Sequence, residues 1–169
     1  MKDDYSEFSV DASIIIDLEK SGLIDCFFKL PYVFRCPRPL IEKETATFSR
    51  IIKKNNPQNL VLDDFDNKEM RLIYKIEMRG RSIYDKMVYF IAEQRNIVIL
   101  TGDNDIRKKA KINSIEVHGI IFVYDLLVKH NLIEPVIAKE KLVLLQNCRS
   151  YLPEVECKKY IEKWNKMCK

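Results

Sequence analysis

The most apolar β-type run of this chain is Ile97-Val98-Ile99-Leu100-Thr101-Gly102, and it ends directly at Asp103. A short apolar run that is rich in β-branched side chains and closed by a turn residue is typical of a buried strand. Near the N-terminus, Phe8-Ser9-Val10 ends in the same way, at Asp11. The pattern therefore predicts two buried strands, each followed at once by an aspartate.

Further strands and helices are predicted to alternate along the rest of the chain. The other predicted strands are Tyr32–Phe34, Leu60–Leu62 and Ile115–Val117. Apolar spacing of three and four residues predicts helices at Ala12–Lys20, Pro37–Ile52, Asp66–Arg79, Ile83–Gln94, Asn104–Lys111, Ile120–Lys129, Pro135–Asn147 and Pro153–Met167. This alternation predicts an α/β fold, a three-layer α/β/α sandwich around a central, mainly parallel sheet of four or five strands.

The length of 169 residues fits one domain, and the net charge of +4 permits an anionic partner without requiring one. We expect residues 1–150 to form that domain. Residues 151–169 are expected to add a C-terminal helix that is too short to form a core of its own.

Several other classes of protein are disfavoured by the composition. Five cysteines without a C-x-x-C pair, together with only two histidines, argue against a zinc site and a disulfide framework. No secretory leader and no apolar run of roughly 20 residues is present, so we expect a cytoplasmic protein without a membrane segment. The chain has no G-x-G-x-x-G, P-loop or G-x-S-x-G motif, which argues against nucleotide cofactors and serine hydrolysis.

The two strand-end aspartates are candidate metal ligands. In an open parallel sheet, ligands bind outside the carboxyl ends of the strands, so Asp11 and Asp103 converge if their strands are neighbours. Clustered carboxylates repel one another unless a cation lies between them, and hard oxygen ligands select Mg²⁺ or Mn²⁺. Each residue also has a purely structural interpretation, because Asp11 could cap the helix that follows it and Asp103 could stabilise a turn or cap a helix.

Two further acids lie within predicted helices. Asp85 follows Ser82 by three residues, which is the spacing of a capping box, but it also lies at the start of an apolar helix and could face a cleft. Glu42 lies on a predicted helix, where a glutamate is usually exposed to solvent. Glu44 lies two residues further on.

Taken in order, four short motifs resemble the PIN-domain family of metal-dependent ribonucleases, which includes the VapC-type toxins. They are Val10-Asp11-Ala12-Ser13, Pro39-Leu40-Ile41-Glu42, Ser82-Ile83-Tyr84-Asp85-Lys86-Met87 and Leu100-Thr101-Gly102-Asp103-Asn104-Asp105. The similarity covers about residues 7–130, and the helices that follow also resemble those of prokaryotic PIN proteins. The sequence departs from the family pattern at Lys86, where a small residue is usual.

This resemblance implies a set of site residues and a cofactor. The catalytic acids would be Asp11, Glu42, Asp85 and Asp103, and Glu44 stays open as an alternative to Glu42. The ligands of Mg²⁺ or Mn²⁺ would be Asp11, Asp85, Asp103 and Asp105. Thr101 matches the threonine that commonly precedes the last acid of the family by two residues.

The implied activity is hydrolysis of RNA phosphodiester bonds. Four basic residues after Asp105 could contact RNA phosphates, or could simply form a solvated face; they are Arg107, Lys108, Lys109 and Lys111. A VapC-like protein would be expected to pair with a small antitoxin and to form a homodimer. The alternative is a catalytically silent PIN-like binding or regulatory module, which gains weight if Lys86 pairs with a carboxylate. A phospho-acceptor receiver domain is disfavoured because Ile115–His118 offers no strand-end lysine.

Overall fold

All strands of the central sheet are parallel in the computed structural model of this protein. The structure describes residues 5–43, 46–78, 80–148 and 152–167, without the side chains of 43 and 46–49. The strands are β1 (Glu7–Val10), β2 (Val33–Pro37), β3 (Leu60–Asp63), β4 (Val98–Leu100) and β5 (Val117–His118). Their order in the sheet is β3-β2-β1-β4-β5. The chain therefore leaves β1 toward one edge of the sheet and later returns beside β1 to build the other half.

The helices connect these strands and cover both faces of the sheet. They are α1 (Ala12–Ser21), α2 (Ile24–Phe27), α3 (Arg38–Lys43), α4 (Ala46–Asn55), α5 (Asn67–Lys75), α6 (Ile83–Arg95), α7 (Asn104–Ile112), α8 (Ile120–Lys129), α9 (Pro135–Cys148) and α10 (Glu154–Met167). Among the described residues, none of these helices is both long enough and apolar enough to cross a membrane.

The side chains of β1 alternate between the two faces of the sheet, and both faces are buried. Ser9 is fully buried and its hydroxyl donates to the Val88 carbonyl oxygen of α6 at 2.8 Å. Phe8 points the other way, and its ring lies against those of Phe34 and Phe122, the second of which belongs to α8. Because strand side chains alternate between faces, α6 and α8 cover opposite sides of the sheet. The predicted three-layer α/β/α fold with a five-stranded parallel sheet is confirmed.

Two predicted helices end differently in the structure. The predicted helix over 37–52 is helical over α3 and α4, between which residues 44 and 45 lie outside the described residues, and Pro37 is the last residue of β2 instead of a helix opener. The predicted helix over 66–79 ends at Lys75. There Ile76 takes an extended backbone and packs against the core, and Met78 is buried, so tertiary burial outweighs the helical spacing of the sequence. Arg79, the predicted end, lies outside the described residues.

The C-terminal helix α10 is joined to the core through one buried carboxylate. Trp164 is fully buried, and its indole Nε1 donates to Asp125 Oδ1 of α8 at 3.1 Å. Lys163 Nζ lies 2.6 Å from both oxygens of the same carboxylate. Cys157 of α10 also belongs to the main apolar core. The division of the chain at residue 150 stays a prediction, but α10 packs as part of the same core.

We expect Asp125→Ala to lower the free energy of unfolding by about 2 kcal/mol, because the buried Trp164 N–H would lose its acceptor. Urea denaturation measures this loss. Lys163→Ala is the matched control and should cost less, because the Lys163 side chain is 42% exposed and can be solvated. An equal loss in the two variants would contradict the role assigned to the indole bond.

Candidate functional site

Parallel pairing of β1 with β4 brings the two strand-end motifs together. Val10 is the register partner of Leu100, and the backbone N–H of Asp11 donates to the Leu100 carbonyl oxygen at 3.0 Å. Asp11 and Thr101 therefore leave the sheet side by side at its carboxyl edge. This is also the point where the strand order reverses, which is where open α/β sheets form their ligand crevice.

Two hydroxyl groups hold the carboxylate of Asp11. Ser13 Oγ donates to Asp11 Oδ2 at 2.6 Å, and Thr101 Oγ1 donates to the same oxygen at 2.8 Å. Asp11 occupies the N-cap position of α1 but makes no side-chain capping bond to that helix. The structural interpretation of Asp11 as a cap is therefore wrong, and its carboxylate is oriented by the neighbouring strand end instead.

The same hydroxyls also fix the turn that carries Asp103. The Thr101 hydroxyl accepts from the backbone N–H of Asp103 at 3.0 Å, and the Ser13 hydroxyl accepts from the N–H of Gly102 at 3.2 Å. Each hydroxyl thus donates to Asp11 and accepts from the turn after β4. The side chains of Ser13 and Thr101 therefore connect the two strand ends. They donate hydrogen bonds to the buried carboxylate of Asp11 and fix its position.

Asp103 has two roles that use different oxygens. Its Oδ1 accepts from the backbone N–H groups of Asp105 and Ile106 at 2.8 and 3.0 Å, which caps α7. Its Oδ2 accepts from Nη1 of Arg81 at 2.7 Å. The sequence expectation of a cap is confirmed for one oxygen, and the second oxygen faces a cation.

Asp85 closes a capping box at the start of α6. Its backbone N–H donates to the Ser82 hydroxyl, and its Oδ2 accepts from the Ser82 N–H at 3.0 Å. The charge of Asp85 nevertheless reaches Asp11. Burial raises the pKa of Asp11, the two hydroxyl hydrogen bonds lower it, and the charges of Asp85 and Asp103 raise it further. Three of the predicted acids therefore share one electrostatic environment.

Arg81 is the site residue that the sequence analysis missed. Its guanidinium pairs with Asp103 and also with Asp105 Oδ2, where Nε donates at 2.8 Å. Hydrogen bonds from Arg81 and then from Lys108 lower the pKa of Asp105. The sequence indicated Arg81 only through its position, because it directly precedes Ser82, the N-cap of the helix that carries Asp85.

Lys86, the departure from the family pattern, points elsewhere. Its Nζ lies 3.5 Å from the carbonyl oxygen of Tyr74 on α5. Within the described part of the chain, no ion pair joins Lys86 to a site carboxylate. Arg81 is the residue that pairs with Asp103. It lies in the loop before α6, whereas Lys86 belongs to α6 itself.

Among the described residues, Glu42 forms no hydrogen bond or ion pair with Asp11, Asp85 or Asp103. It is exposed on α3, and its charge acts on Arg38, which pairs with Asp64 at 2.8 Å. Its place as the fourth acid stays a prediction, and the alternative, Glu44, lies outside the described residues.

The donor chemistry suits a hard divalent ion, although the side chains are not gathered around one position. Among the described residues, no three His, Cys, Asp or Glu side chains lie close enough together to hold a metal ion. Burial first, and then the charges of Asp85 and Asp103, raise the pKa of Asp11, which is the electrostatic condition that a cation relieves. A metal held by Asp11, Asp85 and Asp103 would require Asp103 to release Arg81.

The four predicted RNA-contacting residues of α7 do not share one environment. Arg107 is half-buried, and its Nη2 donates to the Thr101 carbonyl oxygen at 2.9 Å. Lys108 is exposed and pairs with Asp105 at 3.3 Å. Lys109 is partly buried, and Lys111 is exposed. Arg107 is thus directed toward the carboxyl edge of the sheet, while Lys111 faces solvent and Lys108 is held beside Asp105.

We expect Asp11→Asn to stabilise the metal-free protein at neutral pH. Folding raises the pKa of Asp11 above its ordinary value of 3.8, so the native state loses stability as pH rises from 3.8 through the raised value. Asparagine cannot ionise, and its side-chain oxygen can still accept from Ser13 and Thr101. Thermal denaturation in EDTA across pH 3 to 8 measures the difference, which should vanish at the acidic end. Lower stability of the variant at neutral pH would contradict this prediction.

Comparison with known protein families identifies a match that covers most of the chain. A family model described as a PIN domain matches residues 8–166, a span that runs from β1 to the last turn of α10. No curated protein matches the chain. The matched span contains both strand ends, the three coupled aspartates and Arg81. The chain belongs to the PIN-domain family, as its four acidic motifs predicted.

Proposed function

We propose that this protein is a metal-dependent endoribonuclease that hydrolyses RNA phosphodiester bonds with Mg²⁺ or Mn²⁺. The PIN domain is a nuclease-type fold, and RNA as the substrate is the finer step proposed here. The observation that carries the proposal is the coupling of buried Asp11 with Asp85 and Asp103 at the point where the strand order reverses. A purely structural group of acids has no physical reason to bury one carboxylate beside two like charges.

In this proposal Asp11, Asp85 and Asp103 hold the ion, Asp105 lies beside them, and Glu42 stays the predicted fourth acid. The bound metal would lower the pKa of a water and offset charge on the scissile phosphate. Ser13 and Thr101 fix Asp11 Oδ2 through their hydroxyls, which leaves Oδ1 free of those two donors. The capping bonds of Asp85 and Asp103 hold their carboxylates at two helix N-termini, where negative charge is stabilised.

A second candidate function is a catalytically silent PIN module. It is favoured by the guanidinium of Arg81, which already neutralises Asp103 and Asp105 without any metal. The two candidates differ in metal binding. A silent module should bind no Mn²⁺ at millimolar concentration, whereas a nuclease should bind it with Asp103 as a ligand.

A toxin role, an antitoxin partner, a homodimer and a cytoplasmic location remain proposals that rest on the family resemblance. A toxin of this kind would arrest growth when expressed alone and would be neutralised by a small co-expressed protein. Arg81, which is exposed beside Asp103 and Asp105, would then be accessible to such a partner.

We expect Asp103→Asn to reduce Mn²⁺-dependent RNA cleavage by at least about 100-fold, because an amide cannot replace the charge of a carboxylate ligand. Cleavage of a fluorescent RNA with Mn²⁺ and with EDTA measures this. The amide oxygen can still accept from Asp105 and Ile106, so the cap of α7 should persist.

Asp66→Asn is the matched control for that variant. Asp66 caps α5 through the same pattern of bonds, from the N–H groups of Lys68 and Glu69, but lies outside the site. It should keep wild-type cleavage. Undiminished cleavage by a folded Asp103→Asn protein would overturn the proposed function.

We expect Arg81→Gln to bind Mn²⁺ about tenfold more tightly than the wild type, since the ion would no longer displace a paired guanidinium; this corresponds to about 1.4 kcal/mol. Isothermal titration calorimetry measures the affinity. Arg95→Gln is the control, because Arg95 forms a comparable exposed pair with Asp63 at 3.6 Å away from these acids. Unchanged affinity in Arg81→Gln would show that Arg81 does not compete with the metal, and no binding in either protein would favour the silent module.

A further inference from the structure

A pocket of about 210 Å³ lies at the carboxyl edge of the sheet, beside the acidic site. Gly102 and Asn104, which flank Asp103, form one side of it. Ile14, one turn after Asp11, forms another. A group bound in this pocket would therefore be adjacent to the proposed metal ligands without using them.

The pocket has the size of a small planar group. Pockets for drug-sized ligands typically occupy roughly 300–1,000 Å³, so a volume of about 210 Å³ suits a fragment such as a single nucleobase. Its apolar lining includes the buried Ile14, Ile120 and Ile121 and the partly buried Leu152. Such side chains can pack against an aromatic ring.

Arg107 supplies the hydrogen-bond donors of the pocket. One of its five N–H groups donates to the Thr101 carbonyl oxygen, which anchors the guanidinium against the strand end. A Cβ at position 119 would lie 2.5 Å from Arg107 Nη2, so Gly119 is what allows the guanidinium to lie there. The guanidinium is thus fixed in place on a rigid element.

Glu156, in the first turn of α10, supplies an acceptor in the same pocket. Burial lowers the pKa of Arg107, and the charge of Glu156 opposes that effect, which places the two groups within electrostatic reach of each other. Asp17 also lines the pocket. Two carboxylates beside one guanidinium disfavour a phosphate group, so the pocket suits a ligand that offers both acceptors and donors.

We propose that this pocket binds a guanine base of the RNA substrate and thereby selects which phosphodiester reaches the acids. Guanine presents O6 and N7 as acceptors for arginine, and N1–H and the N2 amino group as donors for a carboxylate. Adenine and cytosine each present an amino donor at the position where guanine has O6, and uracil has neither N7 nor an amino group, so none of the three can satisfy both charged groups in the same way. The selection step rests on the proposed function, while the pocket for guanine does not.

The test is titration with guanosine 5′-monophosphate in EDTA, followed by the amide chemical shifts of the protein. We expect shifts at Gly102, Gly119 and Ile120, and an affinity at least tenfold above that for the monophosphates of adenosine, cytidine and uridine. Inorganic phosphate is the probe for a simple anion site and should not compete.

Glu156→Gln should weaken binding of guanosine monophosphate at least tenfold, because it removes the charged acceptor while keeping the size of the side chain. Glu154→Gln changes an exposed acid of the same helical turn and should leave the affinity unchanged. These variants avoid Arg107, whose bond to Thr101 also supports the fold.

Equal affinity for the four nucleotides, competition by phosphate, an unaffected Glu156→Gln variant, or no binding at millimolar nucleotide would each overturn the guanine pocket. Guanine binding without Mn²⁺-dependent cleavage would instead refute the nuclease and leave the pocket in place. Cleavage without guanine preference would refute the selection step and leave the nuclease in place.

Discussion

Parallel pairing of β1 with β4 is the constraint on which the rest of this structure depends. The pairing sets Val10 beside Leu100, and the next residue on each strand, Asp11 and Thr101, leaves the sheet at the same edge. Connections from β1 and from β4 then run toward opposite edges of the sheet. A crevice opens between the helices that follow, and both the acids and the adjoining pocket lie in it.

Burial of Asp11 has an energetic consequence that the fold must offset. A carboxylate that is only 7% exposed, with two like charges in reach, is unfavourable in its ionised form. Hydroxyl donors from Ser13 and Thr101 offset part of that cost, and helix N-termini stabilise Asp85 and Asp103. The remaining repulsion is what a bound cation would relieve, which is why the strain supports a functional interpretation.

Arg81 offsets part of the negative charge of these carboxylates. Its guanidinium spans Asp103 and Asp105 and comes from the segment that leaves α5 early to bury Ile76 and Met78. Because that segment is fixed by core packing at one end and by the Ser82 cap at the other, the arginine is presented at the site. In the proposed nuclease, the affinity for a metal would thereby depend on the position of this loop.

The sequence by itself determined the parts of this protein that depend on local pattern. Apolar runs located the strands, and the Ser82–Asp85 spacing predicted its capping box. The order of the four acidic motifs identified the family. Only the tertiary structure decided that Asp11 accepts a hydrogen bond from Thr101, that Ile76 leaves its helix, and that Arg81 pairs with Asp103. Those outcomes depend on strand order and on burial between distant segments, and neither is encoded in the spacing of neighbouring residues.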